Sequence, residues 1–393
     1  MRNLVIGAIF GIVTGAVVGA TLIGPQLVEK IPGFTGKPNS GEVIPEPETA
    51  ANKAQSENPK ITLKTPPVSP SQPGLRWRMA SAFSSTFANL GDLAKRLERQ
   101  IGRVSDGRLR IQLHEPGTLV ASDQMFDAVR SGTIEAAFGT TSFWAAKIPA
   151  LRLFESTPFG PPAQEFLSWF YFSGGQKIYQ DIYHKQGIHG LICGVAAAEA
   201  SGWFKKKIES VDDLKGLRMR ISGLGAQVMS KLGVETQSMS DGDVFVAFES
   251  GMLDAAEFSQ PSVDLKLGLY RMADHYYFPG WHQPVTLVEL IINLDTWDAL
   301  RTTQQTQIAT VCGDNVRYSL AQSEAAQFIA LKELVRLGVN LESWPTEVLD
   351  KLNEAWVEVV SEEAQQDKDF QRVWRSMQRF REEFGIWREL SRP

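Results

Sequence analysis

The run Leu217-Arg-Met-Arg-Ile-Ser222 alternates apolar and polar side chains and reads as a short strand that carries two arginines. An arginine keeps its proton inside a protein, so one drawn into an interior needs an anion. Gly223-Leu-Gly225 comes next, and then Val228, Met229 and Leu232 at helical spacing, so the strand is predicted to turn directly into a helix. Such a turn invites comparison with a phosphate-cradling loop. The comparison fails, because a dinucleotide fingerprint requires G-x-G-x-x-G and position 228 is valine.

An acid comes forward from an internal repeat. FDAVRSGTIEAA (126–137) and FVAFESGMLDAA (245–256) share Phe, Ala, Ser, Gly, Ala and Ala in register. Each predicts a helix, a Ser-Gly turn with Gly132 or Gly251 at the left-handed cap, and a short strand. Ligands of open α/β sheets bind beyond the carboxyl ends of strands. There the first repeat runs into Phe138 and the second into Glu257, which is either a site acid or a solvated strand end. Glu289, within the apolar run 286–292, also needs a partner. His282 is one option for it, as a structural pair or as part of a ligand contact.

These residues need elements to position them. A chain of 393 residues that is 43% hydrophobic and 22% charged is ordinary globular material, long enough for two or three domains. The net charge is −5 and the longest basic run is Lys205–Lys207, a solvated strand end, so nucleic acid is excluded as a partner. Cys193 and Cys312 have neither metal-site nor disulfide-framework spacing, and their redox state is open. Residues 4–23 carry no charge, enough to span a hydrocarbon core of about 30 Å as a helix. Gly7, Gly11, Gly15 and Gly19 would share one face of it. Residues 1–30 are therefore expected to be a membrane anchor or an uncleaved export signal, and either would export the remainder of the chain. Residues 31–74, rich in Pro, Ser, Gln, Glu and Lys, are expected to be a disordered linker.

From Leu75 the chain reads strand, helix (Leu90 to Val104, stopped by Ser105-Asp106-Gly107) and strand, a βαβ unit that predicts a parallel sheet. The repeat predicts two lobes of similar build, each with its own parallel sheet. Beyond Thr302 the periodicity is helical.

Gly202-Trp-Phe204, Leu217-Arg-Met-Arg220, Asp254-Ala-Ala-Glu-Phe258 and Tyr276-Tyr-Phe-Pro-Gly-Trp-His282 together resemble the DctP-type extracytoplasmic solute-binding proteins of TRAP transporters. The likeness covers about residues 75–390, and more narrowly the chain resembles the branch that includes the 2-oxo-acid binders. It implies an α/β, two-lobed periplasmic-binding-protein-like (Venus flytrap) fold with long C-terminal helices. Lobe I would hold about 75–195 plus part of 285–330, lobe II about 196–284, and the C-terminal helices about 303–393. It implies no catalysis, a small organic acid as ligand, TRAP membrane permease subunits as partners, and a periplasmic body tethered to the inner membrane by the N-terminal segment.

By that resemblance Arg220 pins the substrate carboxylate, a task suited to a planar fork of donors. Arg218 is expected on the same side of the strand but farther out, reaching solvent. The family's bridging metal ion would lie on Glu199, Glu257 and the carbonyl of Phe258. Relatives carry glutamine at the first position, and two carboxylates with hard oxygen donors favour Ca²⁺ over Na⁺. The alternative is that Glu199 pairs with Arg220 or a lysine and no metal binds. Phe143, Trp144, Trp203, Phe258 and Trp281 could wall the pocket. Trp281 is the strongest of these candidates, and Trp144 and Trp203 also read as packing. Two other functions compete: a hydrolase using Glu199 and Glu257 as a carboxylate pair, and a membrane-tethered sensor. No nucleophile elbow or zinc-helix motif supports an enzyme.

Nothing in 33–74 has the apolar periodicity to dock onto the body. Removing residues 1–74 is thus expected to leave a folded, ligand-competent protein by calorimetry, and lost affinity would place the segment in the site.

Overall fold

The computed structural model describes residues 74–87, 90–239 and 241–391. The expected anchor, and the expected linker up to residue 73, lie outside the described residues. Among the described residues no helix is long and apolar enough to cross a membrane. The chain runs β1 (Leu75–Ser81), α1 (Leu90–Val104), β2 (Leu109–His114), α2 (Met125–Arg130), β3 (Ala136–Gly139), α3 (Arg152–Glu155), α4 (Ala163–Phe172), α5 (Gly175–His184) and β4 (Ile188–Ala196). It continues as β5 (Gly202–Phe204), β6 (Arg218–Arg220), α6 (Gly223–Lys231), β7 (Glu235–Gln237), α7 (Asp241–Glu249), β8 (Ala255–Ala256), α8 (Pro261–Leu267) and β9 (His275–Phe278). It ends with β10 (Thr286–Asn293), α9 (Leu294–Asp298), α10 (Thr302–Arg336), β11 (Asn340–Ser343), α11 (Thr346–Gln366) and α12 (Lys368–Ser391).

Among the described residues these strands form two sheets, ordered β2-β1-β3-β10-β4 and β11-β9-β5-β8-β6-β7. The alternation of β1 buries Trp77 and Met79 against Leu93, Leu97 and Ile101 of α1, as the spacing predicts. Each such side chain contributes about 1.5–3 kcal/mol of apolar transfer. The repeat places one copy in each sheet: α2 leads to β3 and α7 to β8, with Gly132 at φ +72° and Gly251 at φ +75° in the turns.

The sheets are mixed, which corrects the expectation of parallel ones. β10 is antiparallel to both β3 and β4, and β5 is antiparallel to both β8 and β9. The cause is the path of the chain. It leaves the first sheet from β4 through 197–201 into β5, and returns from β9 through 279–285 into β10. The outgoing and returning strands are neighbours in both sheets, so both pairs must be antiparallel.

A third connection is α10, 35 residues and about 50 Å long. Its first half is joined to β4 by the Cys193–Cys312 disulfide, a pairing that the spacing left open. The Ser319 and Ser323 hydroxyls each accept a backbone N–H at 2.9 Å, from Val195 and Ala197. Farther along, Gln327 accepts the Ser262 N–H at the start of α8. α10 then delivers β11, which pairs in parallel with β9. The tail beyond 303 is therefore not all helical, and it adds an edge strand to the sheet assigned to 196–284.

Glu289 lies on β10 and is 1% exposed. Its partners are the Tyr179 and Tyr183 hydroxyls, which donate to its two carboxylate oxygens, and not His282. Burial raises its pKa to about 7 despite those bonds. In the unfolded chain the group ionises near the usual 4.5, so the native state binds the extra proton between the two values. Stability from this residue is complete below about pH 4.5 and is lost as pH rises to about 7, on the order of 3 kcal/mol in all. Glu289→Gln is expected to remove that decline, so its melting temperature should gain on the parent between pH 5 and 8. Parallel pH profiles would refute the assignment.

Candidate functional site

The carboxyl ends of β6 and β8 lie side by side, with Arg220 in register with Ala256. Glu257, the next residue, donates its N–H to the Arg220 carbonyl at 2.8 Å. The Arg220 guanidinium donates in turn to the Glu257 carbonyl at 2.6 Å and to its Oε2 at 3.3 Å. It stands 5.0 Å from the centre of the Phe258 ring, a cation–π contact that limits its swing. Arg218 is at the far end of the strand, where it forks onto Asp254 and is 39% exposed.

The two crossing segments add the rest. Glu199 lies on 197–201 and His282 on 279–285, and the segments are packed backbone to backbone. Glu199 donates its N–H to the Gln283 carbonyl at 3.2 Å, and a Cβ on Gly280 would fall 1.9 Å from the Glu199 carbonyl oxygen. Only glycine fits there. Gly225 does the same for α6, since a Cβ would meet the His282 Cβ at 3.0 Å. Gly225 thus lets a helix approach the His282 side chain closely.

His282 Nε2 is 3.6 Å from Glu257 Oε1 and 3.8 Å from Glu199 Oε2. One ligand atom from each of the three residues lies within 4.8 Å of the others, and all three residues are buried. Neither ring nitrogen of His282 has a hydrogen-bond partner among the described residues. The outer oxygen of Glu199 accepts weakly from Ser259 and Thr286, at 3.4 and 3.3 Å. Burial, reinforced by the charge of Glu257, raises Glu199 to about 7. Burial alone would also raise Glu257, but His282 and Arg220 outweigh it and hold that acid down. Burial would lower His282, and the two carboxylates reverse this and lift it to about 9. Two acids converging on one point demand positive charge at that point. Two convergent buried carboxylates, with the His282 imidazole 3.6 and 3.8 Å from them, make a donor set that fits a cation.

These groups open onto a cavity of about 600 Å³ between the sheets, whose far wall includes Phe83, Phe87, Phe143 and Glu155. Phe143 packs edge-on to Phe83 with ring centres 5.7 Å apart. Trp144 and Trp281 do not line the cavity, contrary to expectation. Trp144 is fully buried behind Phe143 and donates its indole N–H to Tyr183 at 2.8 Å. Trp281 is turned away from the cleft and stacks on Phe159 at 5.5 Å. Trp203 is core, stacked on Tyr276, and both donate to the buried Asp264 at 2.8 Å. Sequence reasoning missed His282 as a neighbour of the two acids. Glu155, which burial raises above the usual carboxylate range, escaped it entirely. The legible signal for His282 was its place after the Pro-Gly turn that the site motif contains.

Two sheets joined by paired crossing segments, with an arginine and a cation-ready acid cluster in the cleft between them, define an extracytoplasmic solute-binding protein. The chain belongs to the bacterial extracellular solute-binding proteins, family 7 (DctP), which its residues 80–367 match. It is 35% identical over 322 residues to a monocarboxylate 2-oxoacid-binding periplasmic protein of Nostoc sp. (strain PCC 7120), a match spanning 81% of this chain and 87% of the relative. A TRAP transporter solute-binding protein from Bordetella bronchiseptica RB50, crystallised with copurified calcium and picolinate, superposes with a TM-score of 0.76 at 32% identity, over 80% of this chain and 94% of that one. One from Pseudoalteromonas atlantica T6c, with bound sodium and pyruvate, gives a TM-score of 0.75 at 29% identity, over 80% and 96% of the two chains.

Gly280→Ala is expected to cost about 1–3 kcal/mol, as for other overpacked positions, because the Glu199 backbone must move. Gly313→Ala serves as the control: its Cβ would meet nothing within 4 Å, so it should be neutral or stabilising. Thermal melts of the two variants check this, and equal melting temperatures would contradict the close approach.

Proposed function

We propose that the protein captures a small 2-oxo or 2-hydroxy carboxylate in the cleft and presents it to TRAP permease subunits. The observation that carries this reading is the placement of Arg220 beside the Glu199–Glu257–His282 cluster at the ends of β6 and β8. Arg220 takes the carboxylate and fixes its plane, since charge-assisted contacts to a guanidinium are directional as well as strong. Phe258 holds the guanidinium in place from one side. A metal ion held by Glu199 and Glu257, with the Phe258 carbonyl as a further donor, would supply the positive charge against which the 2-oxo or 2-hydroxy oxygen rests. Two acids balance a divalent ion better than a monovalent one.

Phe143 and Phe83 cover the ligand's carbon chain from the opposite wall, with Trp144 supporting Phe143 from behind. Closure of the two bodies excludes water from the arginine–carboxylate pair and strengthens it. The two carboxylates serve charge balance in this reading, and they do not flank a bond to be hydrolysed. The uncharged run 4–23 would tether the body to the inner membrane through the proline-rich segment.

Arg220→Ala is expected to weaken binding of pyruvate or a larger 2-oxo acid by about 2–5 kcal/mol in calorimetry, with an unchanged circular dichroism spectrum. Arg220→Lys should recover only part of that, since an ammonium lacks the fork. A silent Arg220→Ala together with a damaging Arg218→Ala would move the carboxylate to the wrong arginine and sink the reading.

A further inference from the structure

We infer that Glu155, with the Thr140 and Ser142 hydroxyls beside it, forms a second subsite that takes a hydroxyl at the far end of the ligand. The preferred solute is then a hydroxylated 2-oxo or 2-hydroxy monocarboxylate, longer than pyruvate. This rests on the carboxylate-capture reading above and adds what the other end of the ligand carries.

The internal repeat explains the placement. Thr140 holds the position in the first repeat that Ser259 holds in the second, each beyond the carboxyl end of its strand, β3 or β8. Both residues line the cavity, so the two sheets turn equivalent ends onto one ligand space. On the Arg220 side the acid of that space is Glu257, which follows β8. In the first repeat the equivalent residue is Phe138, and the acid comes instead from the end of α3, as Glu155. Ser142 and Ser156 share this wall with the rings of Phe83 and Phe143.

Glu155 differs from the packing acids. Glu289 and Asp264 are covered by phenols and an indole and have no surface on the cavity, whereas Glu155 lines it. No cation is paired with it among the described residues. Arg152, three residues earlier, turns two guanidinium nitrogens onto Glu363 at 3.0 and 2.6 Å. The Ser142 and Thr140 hydroxyls bear on the Glu155 carboxyl and share a 2.6 Å hydrogen bond with each other. Burial outweighs their pull and raises the group, and the charge of Glu257 raises it further, as for two acids facing one space.

The chemistry of that wall selects what can end there. An apolar chain end would take water from the acid and return no hydrogen bond. A second carboxylate would meet a like charge. An ammonium only donates, so it could not accept from Thr140 or Ser142. A hydroxyl does both: it donates to Glu155 and accepts from a neighbouring hydroxyl.

Calorimetry on the full chain in saturating Ca²⁺ tests this with two matched pairs of acids. They are 2-hydroxybutanoate against 2,4-dihydroxybutanoate, and 2-hydroxypentanoate against 2,5-dihydroxypentanoate. In at least one pair the acid with the terminal hydroxyl is expected to bind about ten- to a hundredfold more tightly, the range for a hydrogen bond to a charged group. Glu155→Leu should erase that preference. 2-Oxoglutarate, which ends in a carboxylate, should bind the parent poorly and gain at least about tenfold in Glu155→Gln, where the like charge is gone. A gain of binding cannot come from misfolding. No preference in either pair, a preference that survives Glu155→Leu, or 2-oxoglutarate binding unchanged in Glu155→Gln overturns the subsite and leaves the capture reading standing. If Arg220→Ala leaves every affinity unchanged, the capture reading fails and the subsite with it.

Discussion

The backbone contact between Gly280 and the Glu199 carbonyl is the constraint on which the rest of the molecule turns. It lets two chain segments pass between the sheets side by side, at a separation that no side chain would permit. Their closeness makes β4 and β10 neighbours on one side and β5 and β9 neighbours on the other. It also brings Glu199 and His282, far apart in the chain, to the end of β8 where Glu257 waits. Fold and site are set by one contact, and the site lies where the chain crosses between the two sheets.

Much of this was legible because it is local. The turn from β6 into α6 comes from alternation giving way to helical spacing, and the glycines at 132 and 251 mark the repeat in both sheets. Glu257 could be singled out because it follows the strand of the second repeat, while Arg220 came forward through the family resemblance of Leu217–Arg220. Pairing over distance could not be read. Strand direction in β5 and β10 depends on the crossing of the chain, β11 is too short and too exposed to alternate clearly, and the pairing of Cys193 with Cys312 exists only once α10 lies on β4. The tryptophans misled for a related reason. Their size marks them as important, but Trp144 and Trp281 act from behind the wall and leave the wall itself to phenylalanines.

Buried acids recur through the structure, and each is handled differently. Glu289 is capped by two tyrosines. Asp264 takes an indole and a phenol on one oxygen, leaves the other unpartnered among the described residues, and is pushed up to about 8 by burial. These two sit where a proton can neutralise them and serve packing. Glu257 is placed against His282 and Arg220 instead, and these hold its charge at the cleft, whereas burial raises its neighbour Glu199 to about 7. One polypeptide thus holds buried carboxylates in two settings, capped by phenols and an indole in the interior and facing an arginine and an imidazole at the cleft.

The three connections between the bodies also differ in build. The segments at 197–201 and 279–285 are short and packed side by side, whereas α10 is a long strut bonded to β4 through Cys312, Ser319 and Ser323 and touching α8 near its far end. The paired short segments and the strut thus join the two sheets at three places. Placement of the arginine opposite the phenylalanine wall is then fixed by the frame that joins the two sheets.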